Sequence, residues 1–577
     1  MRDVSTDILI LGSGGAGLFA ALHAHQADPL LSITVAVKGL LGKSGCTRMV
    51  QGGYNVALAK EDSIERHFMD TIEGGKWLPD QDLAWKLVTL AVERIRELEN
   101  ELGCFFDRNP DGSVHQKAFA GQSFDRTVHK GDLTGIEIIN RLAEQVWARK
   151  IARLEEHRAV ELIKTKDGLA IAGVLFIDMR TGEYVLVRAK AVLLATGGGP
   201  TMYRYHTPSG DKSCDGLAMA LRAGLPLRDM EMVQFHPTGL YAGTHTRMTG
   251  TVLEEGLRGA GGYLLNGAKE RFMPKYDPKA ERATRDFVSR AMYSEMRKGN
   301  TSPNGGLYIS MGHLNEELVK KQFRGMVERC ADCGFDLAGG LVEVVPTAHY
   351  MMGGVEFAAD CSTELKGLFV AGEDAGGVHG ANRLGGNGVA NSTVFGAVAG
   401  DVMAGWVDKE SFRDADMAAV ENAIQACEPR LSKAHGSLEP VRERLYDVMW
   451  EKVGIIRDAA GLLAALSELN SLETELNDTG IADANRAFNL TWHDWLNLKN
   501  LIATSRVIAE AALARTDSRG AHFREDFPET GALDRSAYTS ARLTDSVLNI
   551  GMKPVAFTRV RPGESLLGAN AQSVGDV

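Results

Sequence analysis

The chain has 577 residues, 44% hydrophobic and 24% charged, with a formal net charge of −11. That length suits roughly two to four domains, the composition is that of a soluble globular protein, and the acidic balance argues against nucleic acid as the main partner. No apolar run reaches the roughly 18 residues of a membrane span. The N-terminus lacks a long apolar stretch, so no signal peptide is expected and the cytoplasm is the expected compartment, at most peripheral to a membrane through a partner.

Thr6 to Leu11 is a near-continuous apolar run, the pattern of a buried parallel strand. Gly12-Ser13-Gly14-Gly15-Ala16-Gly17 follows, then a helical stretch from Leu18 to His25 and a second strand from Ile33 to Val37. A glycine turn between strand and helix lets the backbone approach a pyrophosphate, which then sits on the helix N-terminus. Gly12, Gly14, Gly15, Ala16 and Gly17 are therefore candidate dinucleotide contacts. The acid expected at the end of the second strand, for ribose hydroxyls, is replaced by Lys38.

Val192 to Thr196, with Gly197-Gly198-Gly199 after it, reads as another buried strand, and Leu368 to Gly372, ending at Glu373, as a third. Such late strands suit an FAD-binding sheet completed by segments far down the chain. Residues 239–344 are mixed in pattern and read as an inserted domain. After about residue 405 the pattern turns to amphipathic helices, Ala418 to Leu431, Val441 to Leu469 and Asp494 to Ala514, followed by a polar tail. The seven cysteines are scattered, which fits reduced thiols. Cys330 and Cys333 form a CxxC read as two thiols near a helix end; no metal site and no ferredoxin-like cluster is expected.

Four separated stretches carry the chemistry: Gln234 to Gly239 around His236, Arg285-Asp286, His349-Tyr350, and Gly380 to Arg383. Singly, each has a bland reading: Arg285 with Asp286 as an ion pair, His236 before a proline as a turn residue. Together, two arginines and two histidines around one cofactor favour an anionic substrate, because guanidinium forks match carboxylates. The expected protein is an oxidoreductase acting on a small carboxylic acid.

These motifs, with Gln51-Gly52-Gly53, Gly210 to Gly216, Glu254 to Arg258 and Ser518 to Asp526, resemble the flavoprotein subunit family of succinate dehydrogenase and fumarate reductase, which also includes L-aspartate oxidase. The resemblance implies an α/β fold. An FAD-binding Rossmann-like domain (1–238 and 345–405) carries a mixed α+β capping domain (239–344), then a helical domain (406–515) and a small C-terminal piece (516–577). It implies interconversion of a saturated acid and its α,β-unsaturated form, with hydride exchanged at flavin N5. His236, His349 and Arg383 would clamp carboxylates, Arg285 would shuttle the proton, and Glu255 and Arg258 would link that arginine to solvent. FAD contacts would include the glycine turn, Lys38, Ser44, Cys46, Thr47, Gln51, Gly52, Gly53, Asp215, Glu373, Asn387, Gly388 and Val389. A separate iron–sulfur protein would exchange the electrons.

Departures from the family refine this. The histidine that carries covalent FAD in respiratory members is matched by Cys46, and no histidine lies between Ala27 and Arg66, so noncovalent FAD is expected. That favours fumarate-type reduction or oxidase chemistry over succinate oxidation by quinone. Phe119 stands where L-aspartate oxidase has a glutamate, making amino-acid oxidation the alternative, beside a flavoprotein subunit without catalysis. Glu254 replaces a substrate-binding threonine. An ionised Glu254 about 4 Å from a second carboxylate would cost roughly 4 kcal/mol at an effective dielectric of 20, so either Glu254 is protonated, or it points away, or the substrate has a neutral or cationic far end, the last being the expectation carried forward.

Overall fold

The computed structural model describes residues 1–243, 246–428 and 437–568. Its central sheet runs in the order Ala152–Leu154, Ile33–Ala36, Arg2–Leu11, Glu183–Leu194, Ile171–Asp178, His157–Lys164. Leu368–Val370 joins in parallel on Glu183–Leu194, beyond the end of its antiparallel pairing. Leu11 is level with Ala36 on one side and Leu194 on the other, and Val370 is level with Leu194. The carboxyl ends of four strands thus form one edge, and the turns leaving that edge line the site.

Arg2–Leu11 and Glu183–Leu194 are longer than their apolar runs. Val192 to Thr196 is only the end of Glu183–Leu194, whose middle carries the half-buried Arg188 and Lys190. There Arg188 pairs with Asp3 and Lys190 with Asp7, which breaks the apolar run that marks a buried strand.

Gly15–Ala27 is apolar on every side and packs between the sheet and the helix Asn387–Val407. The contact is close: a Cβ on Gly400 would stand 2.4 Å from Ala20 O, and one on Gly396 2.6 Å from Ala16 O. That packing brings the N-terminus of Asn387–Val407 beside the first glycine turn.

Between Val233–Leu240 and Leu341–Met351 the chain builds a unit with its own apolar core around Leu257, Leu264, Met292 and Ile309. Those two strands pair with each other, and Leu307–Ser310 and Tyr263–Leu265 extend their sheet. Helices Arg285–Arg297, Glu316–Gln322 and Arg324–Asp332 pack on it.

The predicted helix Ala418 to Leu431 is Met417–Cys427; Pro429, Arg430 and Leu431 lie outside the described residues. The single helix predicted over Val441 to Leu469 is two, Glu439–Lys452 and Ala459–Thr479. Gly454 lies against the Trp450 carbonyl, and Asp458 caps the second helix by accepting from Gly461 N at 2.7 Å. The helix Leu490–Ala514 follows. The C-terminal hairpin, Ala537–Thr544 with Val547–Pro554, joins Leu227–Arg228 and Gly354–Val355 in one sheet. Among the described residues no helix is long and apolar enough to cross a membrane, and no cluster of His, Cys, Asp and Glu could hold a metal ion. All seven cysteines are free.

Candidate active site

One continuous cavity runs from Lys38 and Asp215 to Arg285 and His349. Its floor is the glycine turn. Gly12 has φ +111°, and a Cβ there would stand 2.1 Å from Ala195 O, so only glycine lets the turn lie against the neighbouring strand. Gly17 serves packing rather than lining: its Cβ would meet Gly12 O at 2.0 Å. Gly15 N donates to Thr47 Oγ1 at 3.0 Å, and the helix has no side-chain cap, so its N-terminal amides and dipole face the cavity.

At one end Asp215 Oδ1 accepts from Arg158 Nη2 at 2.7 Å, Ser213 Oγ at 2.8 Å and Asn500 Nδ2 at 2.7 Å, while Oδ2 accepts from Lys38 Nζ at 2.9 Å. Burial would raise this carboxyl, but Arg158 and Lys38 outweigh it and hold it well below the usual carboxylate range. Along the wall, Glu373 accepts from Met351 N at 2.9 Å and Lys212 Nζ donates to Thr196 O at 2.9 Å. Ser44, Cys46, Gln51, Gly52, Gly53, Gly388 and Val389 also line the cavity. Asn387 does not. Its amide is spent on Asn55, His67 and Thr71 behind the wall, so the structure turns it away from the expected cofactor contact.

The other end gathers the charged groups. Arg285, first residue of its helix, donates to Glu255 Oε2 through Nη2 at 2.6 Å and Nε at 3.0 Å, and to Gln234 Oε1 through Nη1 at 3.2 Å. Asp286 is not its partner; Asp286 Oδ1 is buried without a hydrogen bond. Arg258 Nη2 donates to Glu255 Oε1 at 3.1 Å, and its Nη1 to the Glu281 carbonyl at 2.8 Å. Arg258 lies behind Glu255, outside the cavity wall. Burial opposes ionisation of Glu255, but Arg285 and Arg258 hold its carboxyl below the ordinary value.

His236 and His349 sit on neighbouring strands, His236 opposite Thr347, with ring centroids 5.4 Å apart. His236 is therefore a strand residue, not a turn. Burial and nearby arginines push both imidazoles well below their ordinary value. Thr207 Oγ1 lies 2.8 Å from His349 Nδ1 and orients that ring. Arg383 lies over the Tyr350 ring at 4.4 Å, and its Nε is buried without a partner. Burial and Arg285 lower Arg383 to about 10. Among the described residues it pairs with no acid, so an anion is the ligand it lacks. The Phe119 ring is wedged where a Cβ on either Gly52 or Gly385 would stand 2.6 Å from it.

Glu254 lines the same end, and it is not a bare anion. Lys117 Nζ donates to Glu254 Oε1, a pairing the sequence did not suggest because the two residues are 137 positions apart. Lys117, Lys212, Gln234, Arg158 and Asn500 are among the charged and amide groups that sequence reasoning left without a role; of these Lys212 and Gln234 fell inside a motif.

The cavity fits a dinucleotide flavin. The glycine turn gives close backbone approach, a helix start whose N-cap is the side-chain-less Gly14 faces it, and Gln51 Oε1 is buried without a partner beside the expected ring position. A mostly parallel dinucleotide-binding sheet whose cavity ends at a buried arginine–carboxylate pair suits a flavin oxidoreductase. Residues 7–389 match the FAD binding domain family and residues 442–566 the fumarate reductase flavoprotein C-terminal family. One chain of the fumarate reductase (CoM/CoB) of Methanothermobacter marburgensis is 41% identical over 533 residues, covering 91% of this chain and 95% of that one. The fumarate reductase flavoprotein subunit of Escherichia coli is 34% identical over 599 residues, covering 99% and 98%. A quinol fumarate reductase structure from Escherichia coli superposes with a TM-score of 0.92 at 33% identity, covering 98% of this chain and 99% of that one. The chain belongs to the succinate dehydrogenase and fumarate reductase flavoprotein family, and it is an FAD-dependent oxidoreductase.

Proposed function

We propose that the protein reduces fumarate, or a close C4-dicarboxylate, to its saturated form, with noncovalent FAD and electrons from a separate iron–sulfur protein. The observation that carries this is the buried Arg285–Glu255 pair opposite an unpaired Arg383. One arginine is wired to a carboxylate and the other is free for a substrate carboxylate.

In this reading Arg383, His236 and His349 hold the substrate carboxylates and orient the double bond. Bound FAD supplies hydride chemistry at N5. Arg285 delivers a proton to the neighbouring carbon, and Glu255 returns one to Arg285. Arginine alone is a poor acid because its pKa exceeds about 12. Contact with Glu255 gives its proton a short route of replacement through connected hydrogen bonds. Arg258 lies on the far side of Glu255, and the Glu281 carbonyl fixes its other arm at 2.8 Å. Residues 239–344 serve as a cap, since they carry Glu254, Glu255, Arg258 and Arg285 to the cavity from one side.

The test is anaerobic reoxidation of the dithionite-reduced protein by a panel of mono- and dicarboxylates. Rapid reoxidation by fumarate is expected. Reoxidation by no dicarboxylate would refute the proposal. The name of the Methanothermobacter relative includes CoM/CoB, so those two compounds belong in the donor panel beside dithionite.

A further inference from the structure

The contact between Lys117 and Glu254 changes what the cavity can accept. Glu254 lies on the stretch that leads into Glu255, and its side chain is 7% exposed. Lys117 lies on the short strand Gln116–Lys117, in a three-stranded sheet with Tyr54–Asn55 and Thr127–Val128 that is not part of the capping unit. Its ammonium also stands 5.7 Å from the Phe119 ring centroid, so the pair and the ring form one corner of the substrate end. Lys117 touches Glu254 from outside the cavity wall; Glu254 forms part of that wall.

Without a partner, Glu254 would present a buried negative charge beside the second carboxylate of a dicarboxylate. Such a charge rejects a dianion more strongly than a monoanion. Asp132 and Glu255 add to the local negative field. Burial raises the Glu254 carboxyl, and Lys117 draws it back.

We propose that Lys117 is a specificity residue acting through Glu254: it cancels that carboxylate and so admits a dianionic substrate to a cavity whose wall carries a glutamate. This rests on the dicarboxylate reading above and deepens it. Lys117 is a positioning residue in this scheme, since it reaches the substrate only by way of Glu254. The expectation drawn from Glu254 alone, a substrate with a neutral or cationic far end, is replaced.

The experiment is a double-mutant cycle on the FAD-loaded protein. It uses kinetics with fumarate, and binding of succinate and of crotonate, a monocarboxylate of the same skeleton, by flavin absorbance. Lys117→Met keeps the apolar stem. It should raise KM for fumarate and weaken succinate at least about tenfold, with kcat and crotonate binding changed less than about threefold. Adding Glu254→Gln should restore most of the loss, because the charge to be cancelled is gone. Glu254→Gln alone should bind succinate as tightly as wild type or tighter, which keeps the idea testable if Lys117→Met fails to hold FAD. Equal loss of succinate and crotonate in Lys117→Met, or no restoration in the double variant, would reduce the pair to a structural contact. Weaker succinate binding in Glu254→Gln would also overturn the inference. Wild type that binds crotonate but neither dicarboxylate would overturn the proposed function itself.

Discussion

Arg285 and Glu255 meet through two donors on a single oxygen: Nη2 at 2.6 Å and Nε at 3.0 Å, both to Oε2. The second oxygen of Glu255 takes Arg258 at 3.1 Å. One carboxylate therefore sits between two buried guanidiniums, and Gln234 fixes the remaining arm of Arg285. Such an arrangement holds the arginine in one geometry, which a positioned proton donor requires.

Arg285→Lys is expected to lower fumarate turnover at least about a hundredfold, the scale of losing a positioned proton donor. Lysine keeps the charge but lacks the planar fork, so it cannot meet Glu255 and Gln234 while reaching a substrate carbon. FAD content should stay that of wild type. Near-normal turnover would take Arg285 out of the chemistry.

FAD is expected to be released by acid. Cys46 lines the cavity, no histidine lies between Ala27 and Arg66, and burial pushes the Cys46 thiol up to about 12. A thiol held protonated is a poor nucleophile. After acid precipitation the yellow colour should remain in the supernatant; colour in the pellet would point to a thioether at Cys46.

Much of the first nucleotide-binding unit was legible because its signal is local: strand, glycine turn and helix follow one another within Thr6 to His25. The far end was legible only by resemblance. His236, His349, Arg285 and Arg383 are scattered over about 150 positions, and no spacing rule says they share a cavity. They meet because Val233–Leu240 and Leu341–Met351 are paired strands and the intervening unit folds back over them. Lys117 was not legible at all. A lone lysine before an exposed alanine reads as a solvated surface residue, and only the packing of a two-residue strand against the capping unit brings it to Glu254. The break at Gly454 was missed for a related reason: the apolar periodicity carries on through it, and the glycine and the Asp458 cap decide.

Acid should destabilise the fold earlier than carboxylate protonation would. Burial, then Arg126, lowers His67 to about 3, and burial, then Arg158 and Lys38, lowers His493 to about 3. Both are depressed in the native state, so their stability is present above the unfolded value near 6.5 and is lost as pH falls toward about 3. Each adds a slope of up to about 1.4 kcal/mol per pH unit in that window. His67→Gln should flatten the fall in unfolding midpoint between about pH 7 and 5. An unchanged slope would show that His67 takes up its proton in the native state.

Lys38 and Asp215 meet at the end of the cavity where an acid for ribose hydroxyls is expected. The second strand ends in a cation, and the carboxylate comes instead from the start of the helix Asp215–Arg222, held by Lys38 at 2.9 Å and Arg158 at 2.7 Å. Arg158 is 1% exposed and keeps His493 O and Asn497 on its other arm, but Asp215→Asn removes the carboxylate that neutralises this buried guanidinium. Breaking a buried pair in this way costs about 3–5 kcal/mol. Asp215→Asn is therefore expected to lower the unfolding midpoint of the apoprotein and to shed FAD on gel filtration. Lys38→Met should do less, because Arg158 still meets Asp215 and the side chain it loses is partly exposed at 19%. Comparing FAD retained per chain across the two variants checks the order. Should Lys38→Met lose more FAD than Asp215→Asn, the lysine would be the direct cofactor contact and Asp215 its support.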